Sequence, residues 1–286
     1  MNDITLSYVH DMNWTDYQAY AVSLNRTGYA GMKVLFITPD TRPEVRENFL
    51  GLGFTLAEGH APPVNPIQWN EGGWLRFHDA VKFLRSSGRF RYALWTDARD
   101  VIFQSNPFTW MENNLSIRKR LVIAGLGHAI KDCPQYNDPW VKASAASDYE
   151  RIREFEAITT GTLGGDAALV CRLFEDIYNG CCSRPSTVRL PHPQGVTDQG
   201  ELNVVARNAS YADVMRIPRP EEGFTAQWWP GKSSWPEVFK HEGLPRFDSS
   251  DGTVYVPGTN TPFSIVHLYD RDPLWVTIMR EKYAEV

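Results

Sequence analysis

Lysine and arginine are too few and too scattered for this chain to grip a polyanion. Its 286 residues hold 29 of them against 34 aspartates and glutamates, a net charge of -5. Without a basic run, the electrostatic footprint of a nucleic-acid binder is missing. Long apolar runs are lacking too, since no stretch approaches the roughly 20 residues of a spanning helix. The opening MNDITLSYVHDMNW has none of the basic-then-apolar order of a secretory signal. The expectation is a cytoplasmic chain with no transmembrane segment. Cysteine is scarce: Cys133, Cys171, Cys181 and Cys182 form no C-x-x-C pair, which speaks against a zinc site or a disulfide framework and for free thiols in a reducing compartment. No internal repeat or linker between independent domains is evident, so one domain over 1–286 is expected.

Apolar residues are plentiful in total, 42% with 13% aromatic, enough for a sizeable core. They are arranged as alternating strands and helices. ITLSYVH (4–10) predicts a strand, and Trp14, Tyr17, Ala21 and Leu24 recur at helical spacing until Gly28. MKVLFIT, a short helix over 43–52, the strand FTLAE and the loop APPVNP follow. A helix with Trp74, Phe77, Val81 and Leu84 on one face then leads into the strand 92–96. This alternation is the pattern of an α/β fold with a mostly parallel sheet flanked by helices. Further on, 121–127 predicts a strand and KDCPQYNDPW a polar insertion. ITTGTLGGDAALVCRLFEDIYNG predicts strand, glycine-rich turn and helix, and TDQGELNVVARN a helix. After a Gly/Pro/Ser/Trp-rich segment (218–252), the strands TVYVP and FSIVHLY precede a last helix from Asp272.

Chemistry concentrates in YALWTDARDVIFQSNPF (92–108), where a core strand runs into Asp97 and Asp100. Ligands of parallel α/β sheets sit at the carboxyl ends of the strands, which is where both aspartates fall. Neighbouring carboxylates repel unless a positive charge lies between them. Magnesium or manganese answers this well, taking one or two carboxylates together with substrate phosphates. The plainer alternative is that Asp97 caps the turn while Asp100 pairs with Arg99, Arg91 or Arg89.

The run LWTDARDVIFQSNPF resembles the metal-binding segment of GT-A fold glycosyltransferases, with Asp97 and Asp100 at the matching acidic positions and Arg99 where the shorter Asp-x-Asp motif has its second acid. Three later segments resemble the same family in the same order. ITTGTLGGDAALV is similar to the small-residue segment against the donor sugar, with Thr160 at the usual Asn position, Gly161 and Gly165 keeping its glycines, and Gly164 between them. TDQGELNVV is similar to the helix start beside the reactive sugar carbon, and IVHLYDRDP to the strand whose histidine completes the metal shell.

The resemblance implies a GT-A-like mixed sheet whose nucleotide-binding half spans about 1–110 and whose sugar and acceptor half spans about 111–286. It implies a hexosyltransferase with Mn2+ or Mg2+ on the diphosphate of a nucleotide-sugar, a UDP-sugar first of all, and a glycan or other hydroxyl acceptor. Asp97, Asp100 and His267 would be the metal ligands. Asp198 and Gln199 would be the catalytic pair, with Asp198 suited either to deprotonating the acceptor or to stabilising charge beneath the anomeric carbon. Retention is favoured over inversion. Tyr8, Arg76, Asp97, Arg99 and the three glycines would hold the donor, with Lys82, Asn25 and Arg26 as weaker candidates. Trp228, Trp229 and Trp235 are placed to stack on a sugar or to pack a core, and Asp166 to cap a helix or touch a hydroxyl. Two rival readings are a metal-dependent nucleotidyltransferase or pyrophosphatase, whose Gly/Arg/Lys-rich loop SYVHDMNW does not match, and an inactive sugar- or nucleotide-binding protein.

Overall fold

The computed structural model describes residues 2–60, 66–188, 195–227 and 245–284. Its centre is a seven-stranded sheet made of β1 (Asn2–Val9), β2 (Met32–Ile37), β3 (Thr55–Glu58), β4 (Phe90–Thr96), β6 (Leu121–Ala129), β7 (Glu156–Asp166) and β8 (Met215–Arg216), in the order β3-β2-β1-β4-β7-β6-β8. β7 is antiparallel to both neighbours, and all other pairs are parallel. β7 alone therefore runs against the other six.

Strand alternation supplies both faces. On β4, Ala93 and Trp95 join one buried cluster and Leu94 the other. The first cluster covers α3 (Pro66–Ser86), α7 (Ala167–Ser183) and α8 (Asp198–Val205), with Trp74, Phe77, Val81 and Leu84 of α3 as the spacing predicts. The second covers α1 (Trp14–Arg26), α2 (Pro43–Gly51) and α4 (Pro107–Asn114). Asp166 caps α7 by accepting from the Ala168 and Leu169 amides, which realises the capping alternative for that residue.

A second sheet was not expected. β5 (Val101–Phe103) follows the Asp97–Asp100 turn, pairs antiparallel with β12 (Ile265–His267), and β12 pairs in parallel with β9 (Thr225–Gln227). Three-residue strands of this kind leave too little alternation to be seen in sequence. Behind this sheet, α10 (Pro273–Lys282) contributes Trp275 and Met279 to a third cluster, to which α1 also lends Ala19 and Val22.

Three readings are corrected. ITTGTLGGD forms no glycine-rich turn but one continuous strand, β7, because both neighbours supply backbone partners along it. The polar insertion contains a helix, α5 (Asn137–Ala145), whose Val141 and Ala145 are buried. FSIVHLY narrows to three residues because Leu268 takes a left-handed conformation (φ 65°) that ends the strand. Most of APPVNP, and all of Trp228, Trp229 and Trp235, lie outside the described residues. Among the described residues, no helix is long and apolar enough to cross a membrane.

Helix α8 is fixed to the sheet by a side chain that imitates a strand. Buried Asn203 accepts the Ile158 N–H at 3.0 Å and donates to the Ile158 carbonyl at 2.8 Å and the Gln199 carbonyl at 2.9 Å. Asn203→Ala leaves the buried Ile158 N–H and carbonyl without their partner and is expected to cost about 3 kcal/mol. Urea denaturation with an unchanged slope and an earlier midpoint is the check.

Candidate metal centre

The question raised by the two aspartates has a topological answer. β4 ends at Thr96, and the Asp97 N–H still donates to the Gly161 carbonyl of β7 at 3.0 Å. By Val101 the chain has changed sheets and faces His267 across the β5–β12 ladder. Asp97 and Asp100 thus occupy the passage between two sheets, and the second sheet brings the histidine. The Leu268 amide, donating to the Asp100 carbonyl at 2.8 Å, closes the junction.

His267 Nε2 lies 3.8 Å from an Asp97 oxygen and 3.7 Å from Asp100 Oδ1. These separations exceed hydrogen-bond length. Two ligands about 2.1 Å from one centre stand ~3.0 Å apart at a right angle and ~3.6 Å apart at 120°, so the pairs are slightly wider than a shared ion would hold them and would close a little around it. Suitable atoms of all three residues fall within 4.8 Å of one another. Two further observations fit an ion there. His267 Nε2 and Asp100 Oδ1 are buried without a hydrogen-bond partner among the described residues, a costly condition for polar atoms. Gly161 faces them, and a Cβ on it would come within 2.5 Å of His267 Nε2 and 2.9 Å of Asp97 Oδ2. The missing side chain leaves the space between the ligands open.

The histidine is set for this role by a residue the sequence reading missed. Gln227 Oε1 accepts from His267 Nδ1 at 2.7 Å, which places the proton on Nδ1 and turns the Nε2 lone pair toward the carboxylates. Gln227 sits on β9, 40 residues before its partner, and no spacing in the sequence links them.

Charge around the cluster is divided unevenly. Burial pushes Asp97 up, but Arg76 and His267 outweigh it and hold the carboxyl well below the usual carboxylate range. Asp100 is pushed up, mainly by burial and further by Asp97 and Asp270, against the pull of His267. Burial would lower His267, yet Asp100 and Asp97 raise it above its ordinary value. Arg76 extends from α3 over the Trp95 ring and donates to Asp97 Oδ1 at 2.8 Å, Thr160 Oγ1 at 3.1 Å and Asp198 Oδ2 at 2.5 and 3.1 Å. It is the hub of the site. Arg99 Nε pairs with Asp270 at 3.1 Å and reaches Asp100 at 3.7 Å. Of the simple pairings, Arg91 is committed elsewhere, to Asp3 and Glu112.

A cleft of about 480 Å³ opens on this cluster and is lined by Tyr8, Arg76, Asp97, Arg99, Asp100 and Asp198. Six of the sequence-selected residues are therefore together. His10 and Asp40 line it as well, and their places just after β1 and β2 make them findable by the strand-end rule. Tyr8 donates its hydroxyl to the His60 carbonyl at 2.7 Å. Asp198 opens α8 but does not cap it, since Thr197 accepts from the Gly200 amide. The Gln199 amide group is engaged with Asn137 at 2.7 Å.

Other candidates lie apart. A Cβ on Gly164 would meet Met111 and the Ala93 carbonyl, and one on Gly165 (φ +134°) the Arg120 carbonyl. Those two glycines allow close strand packing, and only Gly161 borders the cluster. Lys82 is exposed on α3. Asn25 holds Lys33 and the Leu52 carbonyl, and Arg26 donates to the Lys282 carbonyl.

No protein-family model matches the chain, and no curated protein matches it either.

Gly161→Ala fills the space between the ligands and is expected to abolish any rise in melting temperature with manganese while the fold persists by circular dichroism. Asp100→Asn removes a buried charge that is poorly matched without an ion. The metal-free variant should melt higher than the parent, and added manganese should no longer stabilise it, whereas it raises the parent's melting temperature.

Proposed function

We infer that the chain is a metal-dependent glycosyltransferase of the GT-A type. It moves a hexose from a nucleoside diphosphate, UDP before others, to a hydroxyl of a glycan or other acceptor. The observation that carries this reading is the Asp97–Asp100–His267 cluster at the end of β4, opening on a cleft that also holds Arg76 and Arg99. Supporting it are the order β3-β2-β1-β4-β7-β6-β8 with only β7 reversed, and the small second sheet that delivers the histidine. An oxygen-rich set with one imidazole suits manganese or magnesium. When bound, such an ion neutralises charge on a leaving diphosphate.

The residues of the chain do the rest. Asp97, Asp100 and His267 hold the ion against the phosphates. Arg99, 39% exposed at the cleft, is free to turn from Asp270 toward a phosphate oxygen. Gly73 lines the cleft beside the Asp198 carboxylate. Arg76 locks Asp198 to Asp97, so the face presented to the sugar is preorganised and pays no reorganisation cost during reaction.

Asp198 is poorly placed to act as a base. Its Oδ2 receives two Arg76 hydrogen bonds and its Oδ1 the Gln199 amide at 2.8 Å. With both oxygens so engaged, neither is free to reach an acceptor hydroxyl, as a general base must. This favours retention of anomeric configuration, with the fixed Asp198–Arg76 pair as the polar surface beside the anomeric carbon.

Melting temperature with UDP, GDP and CMP, each with and without manganese, tests the reading. The expected result is stabilisation by UDP only when manganese is present, and its loss in the Asp97→Ala/Asp100→Ala double variant. A parent that responds to no nucleotide, or a double variant that responds like the parent, overturns the donor site.

A further inference from the structure

A second cavity, of about 310 Å³, is lined in part by Gln227, the residue that orients His267. Its walls include Gly125, Glu156, Ile217, Phe224, Thr225 and Gln227. The carboxyl end of β6 and the start of β7 meet there, so it sits on the same edge of the sheet as Asp97. At this size it lies near the lower limit of small-molecule sites, about 300–1,000 Å³. That favours a single sugar ring over a nucleotide.

The wall has unused hydrogen-bonding capacity. Gln227 is only 7% exposed, and with Oε1 taken by His267 its Nε2 has no partner among the described residues. Thr225 Oγ1, two residues earlier on the same strand, is buried and unpartnered as well. Buried polar atoms are rarely left so without a ligand or water to satisfy them. Glu156 adds a carboxylate that is held in place by the Gly127 amide at 2.9 Å. Gly125 makes room for it, since a Cβ there would strike Glu156 Oε1 at 2.1 Å. Ile217 adds apolar surface and Arg219 a guanidinium, which completes a wall of mixed character. Hydrogen-bond donors and a fixed carboxylate beside an apolar face match the alternating hydroxyl edges and C–H faces of a pyranose.

We propose that this cavity binds the terminal sugar of the acceptor, with Thr225 and Gln227 contacting its hydroxyls. The acceptor role rests on the transferase reading above, but the binding of a neutral sugar does not. Gln227 then belongs to both sites: one end of its amide orients the metal-facing histidine and the other meets the acceptor. Occupancy of the cavity is thereby linked to the position of His267.

The test is saturation-transfer NMR and calorimetric titration of the protein with methyl glucosides, galactosides and mannosides, with and without UDP and manganese. The probe variants are Thr225→Val, which removes one hydroxyl, and Ile217→Phe, which fills the space. The expected result is that one glycoside binds whether or not UDP and manganese are present. Its affinity should fall about tenfold in Thr225→Val, the size of one lost buried hydrogen bond, and vanish in Ile217→Phe. Both variants should keep the parent's response to UDP with manganese, which also reports that they fold. Three results overturn the proposal: no glycoside binds, UDP displaces the glycoside, or both variants bind it like the parent. If a glycoside binds in the cavity while UDP with manganese stabilises nothing, the sugar site stands and the donor reading alone fails.

Discussion

Two carboxylates held within reach of one another at the end of a buried strand repel, and the architecture around β4 is an arrangement for living with that repulsion. Arg76 neutralises Asp97 from the α3 side. His267 approaches from the opposite side on a separate sheet, without forming a hydrogen bond to either acid. Asp100, the more buried of the pair, is left with one oxygen facing the histidine and no donor. A protein selected only for stability would place an amide or an apolar residue there. The retained mismatch is the mark of a position shaped by something that binds.

Much of the fold was legible because parallel α/β layering writes itself in strong local signals. β1, β2 and β4 are apolar-rich, largely buried strands, and α1 and α3 show four apolar residues each at helical spacing. Asp97 and Asp100 were visible for a related reason, since a charge directly after a core strand must emerge at a sheet edge. His267 was found only through resemblance, because a three-residue strand gives no periodicity of its own. Gln227 was not found at all. Its role exists only once two short strands lie side by side, and that contact is long-range. The misread glycines of β7 show the converse failure. Glycine invites a turn, yet here tight packing against β4, β6 and α4 required small residues within a strand.

Arg76 joins what would otherwise be two independent features. By spanning Asp97 and Asp198 it ties the strand-end turn to the first residue of α8, and Asn203 in turn ties α8 to β7. The electrostatic and structural roles of these groups therefore overlap: the same hydrogen bonds that neutralise Asp97 also hold the site in shape.

The passage of the chain from the main sheet into the three-stranded one has a consequence for assembly order. Asp97 and Asp100 are separated from His267 by more than half the sequence, so their meeting closes one of the longest loops in the molecule. Such a contact forms late, after the locally wound units. An ion bridging the small sheet to β4 would act as a rivet across that seam. Ligand capture and completion of the fold would on this account be a single event.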